Sequence, residues 1–546
     1  MVVIPEFVSY GDVEYSVKSI GEGAFKWCRA LYSITIPESV TSIGVRAFNG
    51  CTSLTSINLP ESLSTIGEYA FYGCVGLTSI VIPNNVLSIQ QYTFYDCYNL
   101  ANVTIGNSVG RIGDDAFYNC SNLTNIVIPN SVISIGSNAF LKCSRLTSVT
   151  VGSGVNSIGW YAFSDCNSLQ KVIVPDIAAW YGIKFESGTS NPLYYAGHIF
   201  SDEEKEITEL IIPEGVTGLN NYAILNCSNL TSVKIPNTVS YIGSGMFSHC
   251  SNLTSIEIPN SVTSIGETAF SGCKALKSIN IPNSVTKIGS YAFRGCNNVE
   301  VINIEQDNPT YDSRDGCNAI IMTKYNSLLI GCKNTIIPNS VTRLSGYAFD
   351  NSSITKISIP ESVIELGEGV FYGCKELTNL IIPSSLTSIS NYAFADCGKL
   401  SSIIIPASVK TLGECAFKNC SELTDVYCYA ETPPSAALYK YNVFYYAFEG
   451  SYIEYATLHV PKASINTYKT ATHWKDFGTI VALSEDVLGD VNGDGDISVT
   501  DVGMMISYIL QTNPEGFNKE AADMNGDGEI TVTDVGILIT TILQGE

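Results

Sequence analysis

Two stretches near the C-terminus carry residues whose types and spacing point to one chemistry. The first runs Asp490-Val491-Asn492-Gly493-Asp494-Gly495-Asp496-Ile497-Ser498-Val499-Thr500-Asp501. The second, beginning at Asp523, runs Asp523-Met524-Asn525-Gly526-Asp527-Gly528-Glu529-Ile530-Thr531-Val532-Thr533-Asp534. Each is a twelve-residue loop whose side-chain donors are all oxygens. A hard cation such as Ca²⁺ takes about six to eight oxygens at roughly 2.3–2.6 Å. Asp490, Asn492 and Asp494, and likewise Asp523, Asn525 and Asp527, present side-chain oxygens from positions one, three and five. Glycine at position six permits the sharp turn, and Asp496 or Glu529 contributes its carbonyl from position seven. Ser498 and Thr531 would act through water, and Asp501 and Asp534 would clamp from position twelve. Two calcium ions are therefore expected; the alternative is a solvated Asp/Gly turn without metal.

The elements around these loops repeat as well. Val502, Met505, Ile506, Ile509 and Leu510 follow the first loop at the offsets that Val535, Leu538, Ile539, Ile542 and Leu543 keep after the second. Spacing of i, i+3, i+4, i+7, i+8 makes one apolar helical stripe per copy. No second chemistry stands out. The four histidines, His198, His249, His459 and His473, sit in no zinc spacing and beside no nucleophile motif. His249 precedes Cys250, but neighbours on an extended turn point apart. Trp180, Tyr194 and Tyr195 could form a sugar-stacking platform or cap an exposed core, and capping is the expectation. The paired carboxylates of a glycosidase cannot be singled out. The chain is not expected to be an enzyme.

Upstream, the sequence is dominated by a repeat. Ala-Phe-x-x-Cys recurs every 23 residues, with Cys28, Cys51, Cys74, Cys97, Cys120, Cys143 and Cys166 in one register. The register resumes at Cys227, Cys250, Cys273 and Cys296, and again at Cys374, Cys397 and Cys420. One unit reads Leu54-x-x-Ile57-x-Leu59-Pro60, then Leu63, Ile66-Gly67, then Ala70-Phe71-x-x-Cys74. Alternation at period two marks a short strand with one buried face, and proline ends it because it cannot donate to a ladder. The Ile-Gly pair predicts a second short extended segment, its glycine turning the corner through positive φ. Ala-Phe-x-x-Cys predicts a tight helical turn with Phe and Cys inward. One unit cannot bury its apolar side alone, so the units must stack as a solenoid of short parallel strands and short helical turns. The phased cysteines are expected to be reduced packing residues. Cys317, Cys332, Cys415 and Cys428 lie off phase, and a Cys317–Cys332 bridge is left open.

Composition agrees with a repeat array. The apolar fraction is 45% but the charged fraction only 15%, against about 25% in ordinary domains; Ser, Thr and Asn supply the polar surface. A net charge of −23 without a basic run argues against nucleic acid and anionic lipid as partners. No window reaches the roughly 18 apolar residues of a membrane span. Residues 1–5 lack a signal peptide's basic and apolar regions, and the repeat starts mid-pattern, so a removed or truncated leader or cap is expected. Residues 6–14 look like a short insertion in the first turn.

The 23-residue units resemble the BspA-type leucine-rich repeats of bacterial surface proteins, related to the Treponema pallidum repeats. The resemblance covers most of residues 1–483, with interruptions near 176–206 and 305–333 and a C-terminal cap at about 425–483. Residues 484–488 form a linker, and residues 489–546 resemble a type I dockerin, a small α-helical, EF-hand-like domain. The usual EF-hand has Glu at position twelve, where Asp501 and Asp534 stand here. The first resemblance implies a leucine-rich repeat β-solenoid or horseshoe, an extracellular or cell-surface location, and adhesion to host or bacterial proteins. The second implies a cohesin-like partner, with recognition at Val499, Thr500, Met504 and Tyr508 and at Val532, Thr533, Ile537 and Thr541. Many clostridial dockerins carry Ser-Thr where Val499-Thr500 stands. Together they imply a non-catalytic protein whose solenoid presents a protein- or glycan-binding surface while the dockerin tethers it to a cohesin-bearing complex. An adhesin, or an accessory to a cellulosome-like complex acting on polysaccharide, are the alternatives.

Overall fold

The computed structural model describes all residues except 441–442, 484–487, 493–496, 512–513, 515–516 and 545–546. Contacts divide the chain into two units: Met1–Leu276 with Ser284–Phe293, and Lys277–Asn283 with Arg294–Glu546. The chain is a β-solenoid of about 20 turns followed by a C-terminal helical region.

In the first unit each turn contributes two short parallel strands. One ladder places Asn125, Ile126, Val127 and Ile128 opposite Ser148, Val149, Thr150 and Val151. The other pairs Ser134–Ile135 with both Arg111–Ile112 and Ser157–Ile158. These pairings step by 23 residues, so each apolar position falls on its own copy in the next turn. Ile126 and Ile135 are buried, as are Leu123, Val132, Phe140 and Cys143. Strands stop at the proline, whose carbonyl then accepts the N–H three residues on, as in Val132 N to Pro129 O at 3.1 Å.

The Ala-Phe-x-x-Cys segment divides its amides between two directions. Tyr69, Phe71 and Gly73 donate to Gln91, Thr93 and Tyr95 of the following turn, at 3.3, 2.9 and 2.7 Å. Ala70, Tyr72 and Cys74 donate back to Gly67, Tyr69 and Phe71. The expected helical turn is thus a run of i→i+3 turns interrupted by left-handed residues, Tyr69 at φ 58° and Gly73 at φ 67°. Those interruptions swing alternate N–H groups towards the neighbouring copy, which satisfies donors a helix end would leave orphaned.

The glycine of the Ile-Gly pair is needed for a different reason from the one its sequence context implies. Gly67 and Gly159 do not take positive φ. A Cβ on Gly67 would stand 2.5 Å from Val45 N, and one on Gly159 would stand 2.5 Å from Ser137 N. Close approach of successive backbones, not a left-handed corner, excludes a side chain there.

Phe48, Phe71, Phe94, Phe117, Phe140 and Phe163 are fully buried, and successive rings stack with centroids 5.2–5.3 Å apart. All cysteines are free thiols, Cys317 and Cys332 included. The phased ones are more than filler: Cys74, Cys97 and Cys120 each donate Sγ–H to the Phe carbonyl of the preceding turn at 3.2–3.3 Å. Burial pushes the Cys51 thiol up to about 11, and the Cys166 and Cys397 thiols up to about 12, from an ordinary 9.0. Unfolded thiols ionise first, so the stability these groups contribute is whole below pH 9.0 and is lost as pH rises towards 11–12. Iodoacetamide at ~pH 8 is accordingly expected to alkylate exposed Cys28 and spare Cys51, Cys166 and Cys397 until the chain unfolds. Peptide mass spectrometry checks this; rapid labelling of folded ladder thiols would contradict it.

The first interruption widens a turn without breaking the ladders. Lys184–Phe185 pairs with Ser157–Ile158, and Ile199–Phe200 pairs with Lys171–Ile173. Trp180, on the short helix Ile177–Tyr181, is buried and donates Nε1–H to Ala223 O at 2.6 Å. It caps core, as expected; Tyr194 stands exposed and Tyr195 half-buried. The N-terminal insertion is an antiparallel hairpin, Phe7–Tyr10 with Val13–Ser16.

In the second unit the second interruption forms antiparallel strands, Tyr311–Asp312, Ile320–Met322 and Ser327–Ile330, before parallel pairing resumes at Arg343–Leu344. The ladder Asn379–Ile381, Ser402–Ile405, Asp425–Cys428, Thr457–Val460 and Thr479–Ala482 then carries the core to its end. Buried Tyr468 and Trp474 seal it, donating to Ala430 O and Pro434 O at 2.7 Å each. Among the described residues, no helix is long and apolar enough to cross a membrane.

Candidate functional site

The C-terminal module is built on two helices, Val499–Ile509 and Val532–Gln544, each entered from one of the acidic loops. Ser498 caps the first: its hydroxyl accepts from Thr500 N–H at 3.2 Å and donates to Asp501. Thr531 repeats the pattern with Thr533 and Asp534. The side chains expected to reach an ion through water thus also start the helices, which is why a hydroxyl residue suits position nine in both copies.

Asp501 and Asp534 are fully buried. Asp501 Oδ1 accepts the Val491 and Asn492 N–H groups at 2.8 and 3.1 Å, and its Oδ2 accepts the Ser498 N–H at 2.8 Å. Asp534 does the same with Asn525 at 3.1 Å and Thr531 at 2.9 Å. One short carboxylate therefore ties the start of each loop to its end. A glutamate would have to fold its extra methylene into the same buried space.

The second loop is described throughout. Asp523 accepts the Asp527 and Gly528 N–H groups at 3.0 and 2.6 Å, and Asn525 Oδ1 accepts the Asp527 N–H at 2.9 Å. Asp527 Oδ1 in turn accepts the Glu529 N–H at 2.8 Å. Gly526 and Gly528 take φ of 69° and 80°, the sharp turning for which glycine is required. Positions one, three and five thus face one set of loop amides. Among the described residues no three His, Cys, Asp or Glu side chains are gathered as an ion would gather them. The donor set is instead mixed, carboxylates with an amide oxygen and a carbonyl, which is the chemistry of a hard cation. In the first loop, Asp490 is buried and Asn492 half-buried; Asp494 and Asp496 lie outside the described residues.

The helices meet over a small core of Val491, Met505, Ala522, Met524, Val535 and Leu538. Met504 and Ile537, both half-buried, pack against this core. Each precedes a fully buried residue, Met505 or Leu538, and at about 100° per residue the helix turns both side chains partly inward. Tyr508 stacks on Phe517 with centroids 4.3 Å apart, and Thr541 is half-buried. Val499, Thr500, Val532 and Thr533 are exposed as expected. The apolar stripe itself divides: Val502, Met505 and Ile509 turn inward, while Ile506 and Leu510 face solvent, matched by Ile539 and Leu543.

The model of the BspA-type leucine-rich repeat region matches residues 18–121, 110–182, 197–314 and 326–424. The chain belongs to the BspA-type leucine-rich repeat family. Residues 488–543 match the dockerin type I domain, so the BspA-type solenoid carries a C-terminal dockerin, a calcium-binding type of domain. Among solved structures, a leucine-rich repeat protein of Bacteroides ovatus is 25% identical over 78% of this chain and 86% of its own, with a TM-score of 0.38. The leucine-rich repeat protein of T. pallidum is 31% identical over 33% of this chain and 77% of its own, with a TM-score of 0.23. The pneumococcal vaccine antigen PcpA is 15% identical over 88% of this chain and 89% of its own, with a TM-score of 0.38. No curated protein matches the chain.

Proposed function

We propose that this BspA-type protein is a non-catalytic, extracellular or surface-held binding protein, tethered by its dockerin to a cohesin-type domain. Two calcium ions would shape the tether: one held by Asp490, Asn492, Asp494, Asp501 and the Asp496 carbonyl, the other by Asp523, Asn525, Asp527, Asp534 and the Glu529 carbonyl. Ser498 and Thr531 would contribute through water. The solenoid is what is tethered, and it offers a protein or glycan ligand its outward strand rows.

One observation carries this reading. The two dockerin helices present matching outward stripes, Val499, Gly503, Ile506 and Leu510 against Val532, Gly536, Ile539 and Leu543. Val499 and Val532 are each 76% exposed, and nothing lies within 4 Å of a Cβ built on Gly503 or Gly536. Glycine inside a helix costs about 1 kcal/mol relative to alanine, and neither glycine is required by packing within the module. A smooth strip flanked by apolar side chains, duplicated, fits a partner backbone that approaches closely in either of two orientations.

The test is a charge placed in each stripe. Ile506→Glu or Ile539→Glu alone is expected to leave capture by a type I cohesin nearly intact, because the other stripe still serves. Both together should weaken it at least 100-fold while calcium uptake is unchanged. Capture unaffected by the double substitution would reject the helix stripes as the docking face.

A further inference from the structure

The outward-facing strand residues change character along the chain. In the first unit the position after the inward strand residue reads Val81, Thr104, Val127, Thr150 and Ile173, then Ile211, Lys234 and Glu257, with Ile173 buried and Ile211 69% exposed. Val81 and Val127 stand 59% and 57% exposed. In the last ladder of the second unit the same position reads Ile381, Ile404, Tyr427, His459 and Val481, paired strand to strand in unbroken register. All five are half-buried, and the Tyr427 and His459 rings stack 4.3 Å apart.

The second calcium loop reaches this row. Asn379 Nδ2 donates to Gly526 O at 3.0 Å, and Lys356 Nζ donates to Asp527 O at 2.9 Å. A Cβ on Gly526 would lie 3.5 Å from Ile381 Cδ1. One cation and one amide from successive turns thus meet two consecutive carbonyls of one loop, with Ile381 beside Gly526. We infer that this outward row is the seat of the dockerin in its own chain, engaged through the second calcium loop and dependent on the ion that loop holds.

The dependence follows from which groups orient the two carbonyls. Gly526 and Asp527 are positions four and five of the loop, and the peptide joining them donates its N–H to Asp523 and Asn525. The side chains that would hold calcium therefore also fix the direction in which Gly526 O points. Removing the ion leaves the carboxylates to repel one another, and the pair of carbonyls loses its fixed aim. The seat does not compete with the helix stripes, since Ile539 and Ile506 are similarly exposed at 40% and 43%. A partner held by those stripes would meet a dockerin whose orientation on the last turns of the solenoid is set by calcium.

This inference rests on the calcium reading, and linkage makes it measurable. If the seat favours the ion-loaded loop, the ion is held more tightly when the seat is intact. The experiment is calcium titration of the full chain by calorimetry, comparing wild type with Asn379→Ala/Ile381→Thr. Both changes are neutral, so neither alters calcium affinity directly through charge, and Thr already occupies this row at Thr104 and Thr150. One of the two sites should weaken about fivefold or more and the other stay unchanged. The matching pair in the first unit, Asn125→Ala/Val127→Thr, should change neither. If the double variant shows an early melting transition, Asn379→Ala alone is titrated, with a smaller shift of the same site expected. Two unchanged sites in a folded variant would overturn the seat. No calcium uptake by the wild-type chain would instead overturn the calcium reading and the seat with it.

Discussion

Replacing Asp490 and Asp523 together by alanine is expected to abolish calcium uptake and leave the dockerin unfolded, while the solenoid melts as before. Among the described residues the module's buried apolar side chains are Val491, Met505, Ala521, Ala522, Met524, Val535 and Leu538, with two alanines among them. Domains of this size are marginal on burial alone. An ion at about a thousand times its Kd adds roughly 4 kcal/mol per site, comparable to the entire stability of such a small core. Removing the Asp523 carboxylate also leaves the N–H groups of Asp527 and Gly528 without that acceptor. Calorimetry of calcium binding, with differential scanning to separate the two melting transitions, reads both effects. A wild-type circular dichroism spectrum unchanged by EDTA would show that the module folds without metal.

The second large effect lies in the solenoid. Phe117→Ala is expected to destabilise its turns by about 3–5 kcal/mol, the range for truncating a fully buried phenylalanine. Phe117 is stacked on both sides, 5.2 Å from Phe94 and 5.3 Å from Phe140, so the cavity is bounded by rigid rings that cannot collapse into it. Repeats couple only to their neighbours, so the loss should concentrate in adjacent turns. Hydrogen exchange should accelerate at Phe94, whose N–H is bonded to Ala116 O, and at Phe117, bonded to Ala139 O. Uniform acceleration along the whole solenoid, or a loss below about 1 kcal/mol, would contradict the stacked-ladder account.

Much of this architecture was legible because a repeat writes the same constraint many times. The 23-residue return of Leu, Ile, Phe and Cys names the inward positions, and the strands pair at that interval. The part that stayed hidden concerns what lies between turns. Gly67 looks like a corner residue, yet its need is the 2.5 Å approach to Val45 N in the preceding copy, which no local pattern encodes. Ser62 and Ser131 look like solvated surface, yet each donates to a valine carbonyl one turn back at 2.8 Å. That helps explain how the chain keeps so few charges: its serines are joints of the stack.

In the dockerin, loop positions and helix stripes follow directly from the duplicated sequence. The side-chain directions of Met504 and Ile537 do not, because they sit at the edge of the inward face where a shift of one residue decides burial. The seat of the second loop was invisible for another reason. It joins Asn379 and Gly526, far apart in sequence, through carbonyls whose direction only the folded loop defines. A signal was nonetheless present: Ile381, Ile404 and Tyr427 are three consecutive large side chains on the outward row of the ladder that leads to the module.

The most direct test of the tether is surface plasmon resonance of the full chain over immobilised type I cohesins, in calcium and again after EDTA. The account predicts saturable, one-to-one binding in calcium that vanishes with the chelator and returns when calcium is restored. Absence of binding to every cohesin by a folded, calcium-loaded chain, or binding indifferent to EDTA, would contradict it.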